Sequence, residues 1–382
     1  MSTKNRLFAV VLILSILLAG CNFFSPNPSG KLLIENGGDQ WGDGGWMKTV
    51  TLSGKTESAK SIDCEFGDNP VVSVAGKIAV ITTNACHIKD LSALTMHVTV
   101  STGNVANFES IPVPNDVVND CKVSGCQMPW MNWYGEKLHV NYFYVDSKKS
   151  EAHIDVYELT GNEFSKIIEH SYSMNLYVTS VDNSNLSLSG SKLILFPQIG
   201  SQSLWSGVFY VLSNGTVREF GDKNDIVDKF TWSPDEENIF YEAVPETAPA
   251  HTQEYLKMVS VQKVTDPVIV ASWGGSVDSF AVAKASFSPD GTKMAVAVEY
   301  PDQSYAFMIY EVMGQKTKLV NKIETGIKGD FVWSPDSQWI AFWGKYKGVS
   351  GVYAMRPNGT DVRMVMPEDN SANPSFLMGW FK

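Results

Sequence analysis

The chain is short of charge. Only 19% of its 382 residues are Asp, Glu, Lys or Arg, and 41 carboxylates outweigh 30 cations for a net charge of -11. No run of Lys or Arg breaks this pattern. An acidic chain without a concentrated basic patch repels phosphates, which excludes nucleic acid as a main partner. So little charge beside so many aromatics and glycines also disfavours a helical bundle or coiled coil. Histidine is scarce, at six residues, and cysteine scarcer, at five. The cysteines lack paired C-x-x-C spacing with His nearby, so no metal site and no cofactor is expected. The chain carries no G-x-S-x-G elbow, no H-E-x-x-H, no Walker A loop and no G-x-G-x-x-G after a strand. A non-catalytic protein is therefore the expectation. What the sequence has in quantity is 44% hydrophobic residues, 30 Gly and 11 Trp, ample material for a folded core.

The N-terminus reads as an address. Lys4 and Arg6 precede the apolar stretch Leu7 to Ala19, which is too short to cross a bilayer comfortably and suits a secretory signal. The stretch ends Leu18-Ala19-Gly20-Cys21. That tetrad resembles the lipobox of bacterial lipoproteins, in which the Cys sulfur carries diacylglycerol and the peptide is cut before it. The resemblance implies that residues 1–20 are removed, that Cys21 is lipidated and that 21–30 form a tether. Membrane contact is then through the lipid, and stable anchoring needs more than one acyl chain. Asn22, in place of Asp, resembles outer-membrane sorting; in a single-membrane cell the same anchor faces outwards. Export fits the four remaining cysteines, Cys64, Cys86, Cys121 and Cys126, which allow three pairings. The short gap between Cys121 and Cys126, with Gly125 inside, suits a loop clip and leaves Cys64 with Cys86.

An internal repeat dominates the rest. Phe230-Thr-Trp-Ser-Pro-Asp235, Ala285-Ser-Phe-Ser-Pro-Asp290 and Phe331-Val-Trp-Ser-Pro-Asp336 are alike, and each precedes an apolar strand. The repeated positions are Trp232, Pro234 and Asp235; Phe287, Pro289 and Asp290; Trp333, Pro335 and Asp336. The aromatic packs between sheets, Pro ends the strand, and Asp bonds its own turn. Weaker copies upstream begin strands at Leu32, Ile78, Leu138 and Leu193. With Ile239, Met294 and Ile340 these make seven starts, about 51 residues apart, the period of a four-stranded propeller blade. The pattern predicts an all-β propeller over 31–382 with seven blades, six being the alternative count. Pro374 to Trp380 reads as a first strand lacking its blade, and 31–60 as a blade lacking its first strand. Pairing them closes the ring and removes the sheet edges. Phe24-Ser25-Pro26 is the competing first strand.

These motifs resemble the TolB-type, WD-like propeller repeat, strongly over 228–366. TolB itself carries an α/β domain before its propeller, which is absent from these repeats. The resemblance implies a monomeric envelope module docking a protein or cell-wall-associated partner on its loop face. The alternative is a propeller enzyme, a lyase or hydrolase on sugars or peptides, with its site in the central channel.

Loops between second and third strands share a face with the blade-to-blade crossings. Those loops hold Trp41, Asp43, Trp46, Trp205, Tyr300, Tyr305, Trp343 and Tyr346, the candidate binding face. The segment Asp39 to Trp46 is the richest, but lacks the order of a calcium loop. The long crossing 110–130, with its Cys pair, joins that face. The six histidines, His87, His97, His139, His153, His170 and His251, read as scattered one or two to a blade and structural. Asp235, Asp290 and Asp336 read as turn residues, because an acid needed for catalysis is needed once.

Overall fold

In a computed structural model of the protein, the residues described are 28–36, 45–62, 70–84, 93–124, 129–146, 149–173, 176–177, 186–197, 207–245, 254–262, 267–273, 281–299, 305–314, 316–368 and 375–382. They form a seven-bladed β-propeller of four-stranded antiparallel blades. Blade 1 combines Ser375–Phe381 with Lys31–Asn36, Gly45–Thr51 and Thr56–Ile62. Blade 2 is Val71–Val72, Lys77–Thr83, Met96–Thr102 and Glu109–Pro112. Blade 3 is Trp130–Tyr134, Lys137–Asp146, Glu151–Thr160 and Glu163–Ser173. Blade 4 is Leu176–Tyr177, Lys192–Pro197, Val208–Ser213 and Thr216–Gly221. Blade 5 is Asp225–Trp232, Asn238–Pro245, Glu254–Ser260 and Val268–Trp273. Blade 6 opens with Ala281–Phe287, Lys293–Glu299 and Tyr305–Met313. The long strand Lys316–Trp333 ends blade 6 and begins blade 7, which continues with Ile340–Tyr346, Val349–Met355 and Arg363–Pro367.

The seven expected second-strand starts fall at the first or second residue of these strands, and the count of six is excluded. Ring closure is as the repeat implied. Lys31 pairs with Phe381 and Leu32 with Trp380, so Ser375–Phe381 occupies the position for which 24–26 had competed. The Trp380 indole nitrogen donates to the Ser29 carbonyl at 2.9 Å, and Lys382 N donates to Val74 O of blade 2.

Second and third strands are buried on both faces, as in Met294–Val298, because each blade packs against two neighbours. The buried side chains accordingly fall into seven clusters, one for each blade junction. The repeat aromatics end the first strands. Trp232, Phe287 and Trp333 are buried, and the Trp333 indole donates to Ser286 O at 3.1 Å.

The turn after each aromatic shows what the degenerate copies share. Ser73, Ser187, Ser233, Ser288 and Ser334 each accept, through the side-chain oxygen, a backbone N–H at or just before the start of the next strand, at 2.8–3.1 Å. Serine recurs in five of the seven blades; Pro and Asp are additions found in three of them. The added Asp accepts the Ser hydroxyl at 2.5–2.7 Å and a backbone N–H two residues on, which fixes its role as structural. The following position adopts a left-handed φ, held by Gly291 but also by Glu236 and Ser337. Glu236 offsets that strain of about 1 kcal/mol by accepting Ser189 N and Oγ from blade 4.

Candidate functional site

Antiparallel blades divide their connections between two faces. Turns between first and second, and third and fourth, strands make a turn face. The other connections make a loop face. Of the expected binding residues, Trp41, Asp43, Trp205 and Tyr300 lie outside the described residues. The rest are placed. Trp46 is the second residue of its strand, half-buried, with Lys48 Nζ 3.6 Å from its ring centroid. Tyr305 begins the third strand of blade 6; burial, with Glu299 bonded to it, pushes its phenol up to about 12. Tyr346 is half-buried edge-on to Tyr353. Trp343 corrects the expectation. Its loop is only Lys347-Gly348, so Trp343 falls within the strand and is buried between blades 7 and 1 with Leu32 and Trp380. The crossing 110–130 also differs from a plain loop: it holds the helix Asn115–Ser124. Val117 and Val118 enter the core between blades 2 and 3, and Tyr157 donates to Asp116 at 2.9 Å. Cys121 falls on this helix, while Cys21, Cys64, Cys86 and Cys126 lie outside the described residues.

The channel is bordered by the first strands, which touch one another from blade 5 through 6, 7, 1 and 2 to 3. Three of them carry a charge three residues before the repeat aromatic: Lys229, Lys284 and Asp330. β-Bulges precede or include these positions and interrupt strand pairing there. Lys284 donates to Asp330 at 2.8 Å across blades 6 and 7, and Asp330 accepts Leu377 N of blade 1 at 2.5 Å. Lys229 lies 3.3 Å from Glu242. Lys284 and Asp330 thus tie blades 6, 7 and 1 together around the axis, whereas the Lys229–Glu242 pair lies within blade 5. Sequence reasoning missed them. Their signal was there, a charged residue at a constant offset in three successive units, but strand bulges made the offset meaningful.

The histidines are not spread one or two to a blade. His139, His153 and His170 gather in blade 3, at most 5% exposed. His170 Nε2 faces Gly190 O at 2.7 Å, and burial lowers its pKa despite that bond. His153 stacks on Tyr144 and meets Ser171 Oγ at 2.9 Å. Neither ring nitrogen of His139 has a hydrogen-bond partner; Glu158 stands 3.6 Å away, and burial nevertheless holds the ring's pKa down. His97 lies on the third strand of blade 2, half-buried; His87 and His251 lie outside the described residues. Among the described residues no group of three His, Cys, Asp or Glu is arranged to hold a metal.

No protein-family model matches the chain. No curated protein matches it. Solved propellers do. The chain is similar to a Bacteroides fragilis protein provisionally named a 6-phosphogluconolactonase, at 10% identity and TM-score 0.49, covering 93% of this chain and 99% of that one. It is similar to a periplasmic gluconolactonase of Pseudomonas aeruginosa, at 11% identity and TM-score 0.48, covering 92% and 100%. TolB of Acinetobacter baumannii matches at 12% identity and TM-score 0.42, covering 89% and 80%. At such identity the likeness concerns the propeller fold alone.

Proposed function

We propose that the protein is a lipid-anchored, extracytoplasmic binding module that holds an envelope protein or cell-wall-associated partner on its loop face and makes no covalent bonds. The observation that carries this reading is where the chain enters the ring. Pro28 to Gly30 lead into Lys31–Asn36 at the end paired with Phe381, which is the turn face. A lipid on Cys21 is then nine residues away, a reach of about 30 Å at most. The turn face is tethered towards the membrane and the loop face is presented away from it. The engaged charges on the inner strands support a binder over an enzyme.

The test has three parts. Cys21→Ser should move the protein from the membrane to the soluble fraction; retention would contradict the anchor. A photocrosslinker replacing Lys223, exposed on the loop face, should capture one partner in intact envelopes, whereas one replacing Asn358 on the turn face should not. Capture from Asn358 alone, or hydrolysis of sugar lactones or glycosides by the purified protein, would overturn the reading.

A further inference from the structure

The junction of blades 4 and 5 opens on the turn face as a wedge-shaped cavity of about 220 Å³. One wall is a row across blade 4, Lys192, Ser213 and Thr216, which pair in register. The next row outwards along that wall brings Arg218, opposite Val211. The facing wall is Val261 and Gln262, just after the third strand of blade 5. The cavity therefore has an apolar floor, Val211 and Val261, and a hydroxyl-rich, cationic rim.

The two cations differ. Lys192 belongs to a series: Lys31, Lys77, Lys137 and Lys192 each start a second strand, and each meets a carboxylate. Lys192 Nζ donates to Glu236 O at 2.8 Å and lies 3.6 Å from its carboxylate. It is a structural brace with charge to spare only in part. Arg218 has no counterpart. Among the described residues its hydrogen bonding is a single long 3.5 Å bond to Val261 O, and no carboxylate pairs with it there. In a chain of net charge -11, a guanidinium on a concave surface with no carboxylate partner among the described residues is open to an anionic ligand. A guanidinium presents a planar fork suited to a carboxylate. The hydroxyls beside it suit a polyol, and the apolar floor suits the C–H face of a sugar ring.

We infer that this wedge binds a small hydroxylated carboxylate of the uronic-acid type. Arg218 takes the carboxylate, Ser213 and Thr216 take ring hydroxyls, and Val211 and Val261 pack under the ring. The cavity volume suits one monosaccharide unit and excludes a long peptide from full burial. The site lies on the face opposite to the proposed docking loops, so it stands whether or not those loops bind a partner.

Calorimetric titration of the full-length protein in mild detergent tests it. The probes are sodium glucuronate and sodium galacturonate, with glucose, acetate and inorganic phosphate as controls. At least one uronate should bind about tenfold or more tightly than glucose or acetate. Arg218→Gln should weaken that binding by about tenfold and leave the thermal melt unmoved, since the side chain is exposed. Thr216→Val should weaken it less. No binding of either uronate up to about 10 mM overturns the inference, as does affinity unchanged in Arg218→Gln. Phosphate binding as tight as the uronates would overturn the sugar-acid assignment.

Discussion

Ring closure rests on Trp380, and its truncation is the most informative perturbation of the fold. Trp380 is 4% exposed, packed among Leu32, Ile34, Trp339 and Trp343 where blade 7 meets blade 1. Its indole N–H also ties the closing strand to Ser29 O. Truncating a buried Trp to Ala costs about 3–5 kcal/mol through lost burial and the cavity left behind. Ser29 is exposed, so its freed carbonyl is hydrated and adds little. At about 2.1 cal/mol/K of unfolding entropy per residue, a ring of about 350 residues shifts by slightly more than 1 °C per kcal/mol. Trp380→Ala should therefore lower the midpoint by about 4–7 °C in a circular-dichroism melt. Trp380→Phe keeps most of the packing, loses the hydrogen bond and should cost only about 1–2 kcal/mol. Limited proteolysis should release the C-terminal segment first from Trp380→Ala and not from the parent. A midpoint within about 1 °C of the parent would refute closure by this strand.

Ser288→Ala removes the acceptor for Lys293 N and the donor to Asp290 at a fully buried position, and should cost about 1–2 kcal/mol; an unchanged urea midpoint would show the turn holds without it. Asp330→Asn, which breaks the pair with half-exposed Lys284, should cost about 1 kcal/mol or less, but should speed hydrogen exchange at the Leu377 amide; unaltered exchange there would contradict its role in linking blades 7 and 1. His139 and His170 have folded pKa values below the ordinary 6.5, because burial favours the neutral ring. The unfolded chain then binds protons more readily, so their contribution is complete above about pH 6.5 and is lost as pH falls through the lowered folded values. Stability measured by urea should drop between neutral and mildly acidic pH, and His139→Gln should flatten that drop; an equally steep profile in the variant would place the acid sensitivity elsewhere.

Strand starts, the closing pair and a count of seven blades with six as the alternative were legible in the sequence, because each blade repeats one local problem. A strand buried on both faces must be continuously apolar, and the turn before it needs a side chain to bond the next amide. Both requirements leave marks in consecutive residues, as in Phe331-Val-Trp-Ser-Pro-Asp336. The shared serine was harder to see, since Ser73 and Ser187 lie in turns with no Pro or Asp beside them. The lipidation signal proposed at Cys21 likewise rests on consecutive residues. What depended on the folded ring was everything set by contact between units far apart in the chain. Trp343 reads as a loop aromatic until the two-residue turn at Lys347-Gly348 draws it into a strand between blades 7 and 1. The helix at 115–124 has a weak pattern of its own and is held by the core of blades 2 and 3 that Val117 and Val118 enter. Asp330 meets Lys284 and Leu377 only because bulged inner strands converge on one axis. Arg218 is ordinary in sequence; its place beside Val261, with no carboxylate partner among the described residues, emerges when blade 5 is packed beside it. Local hydrogen bonding and burial periodicity act within a few residues and are written there, whereas the partners of a charge are chosen by the packing of blades.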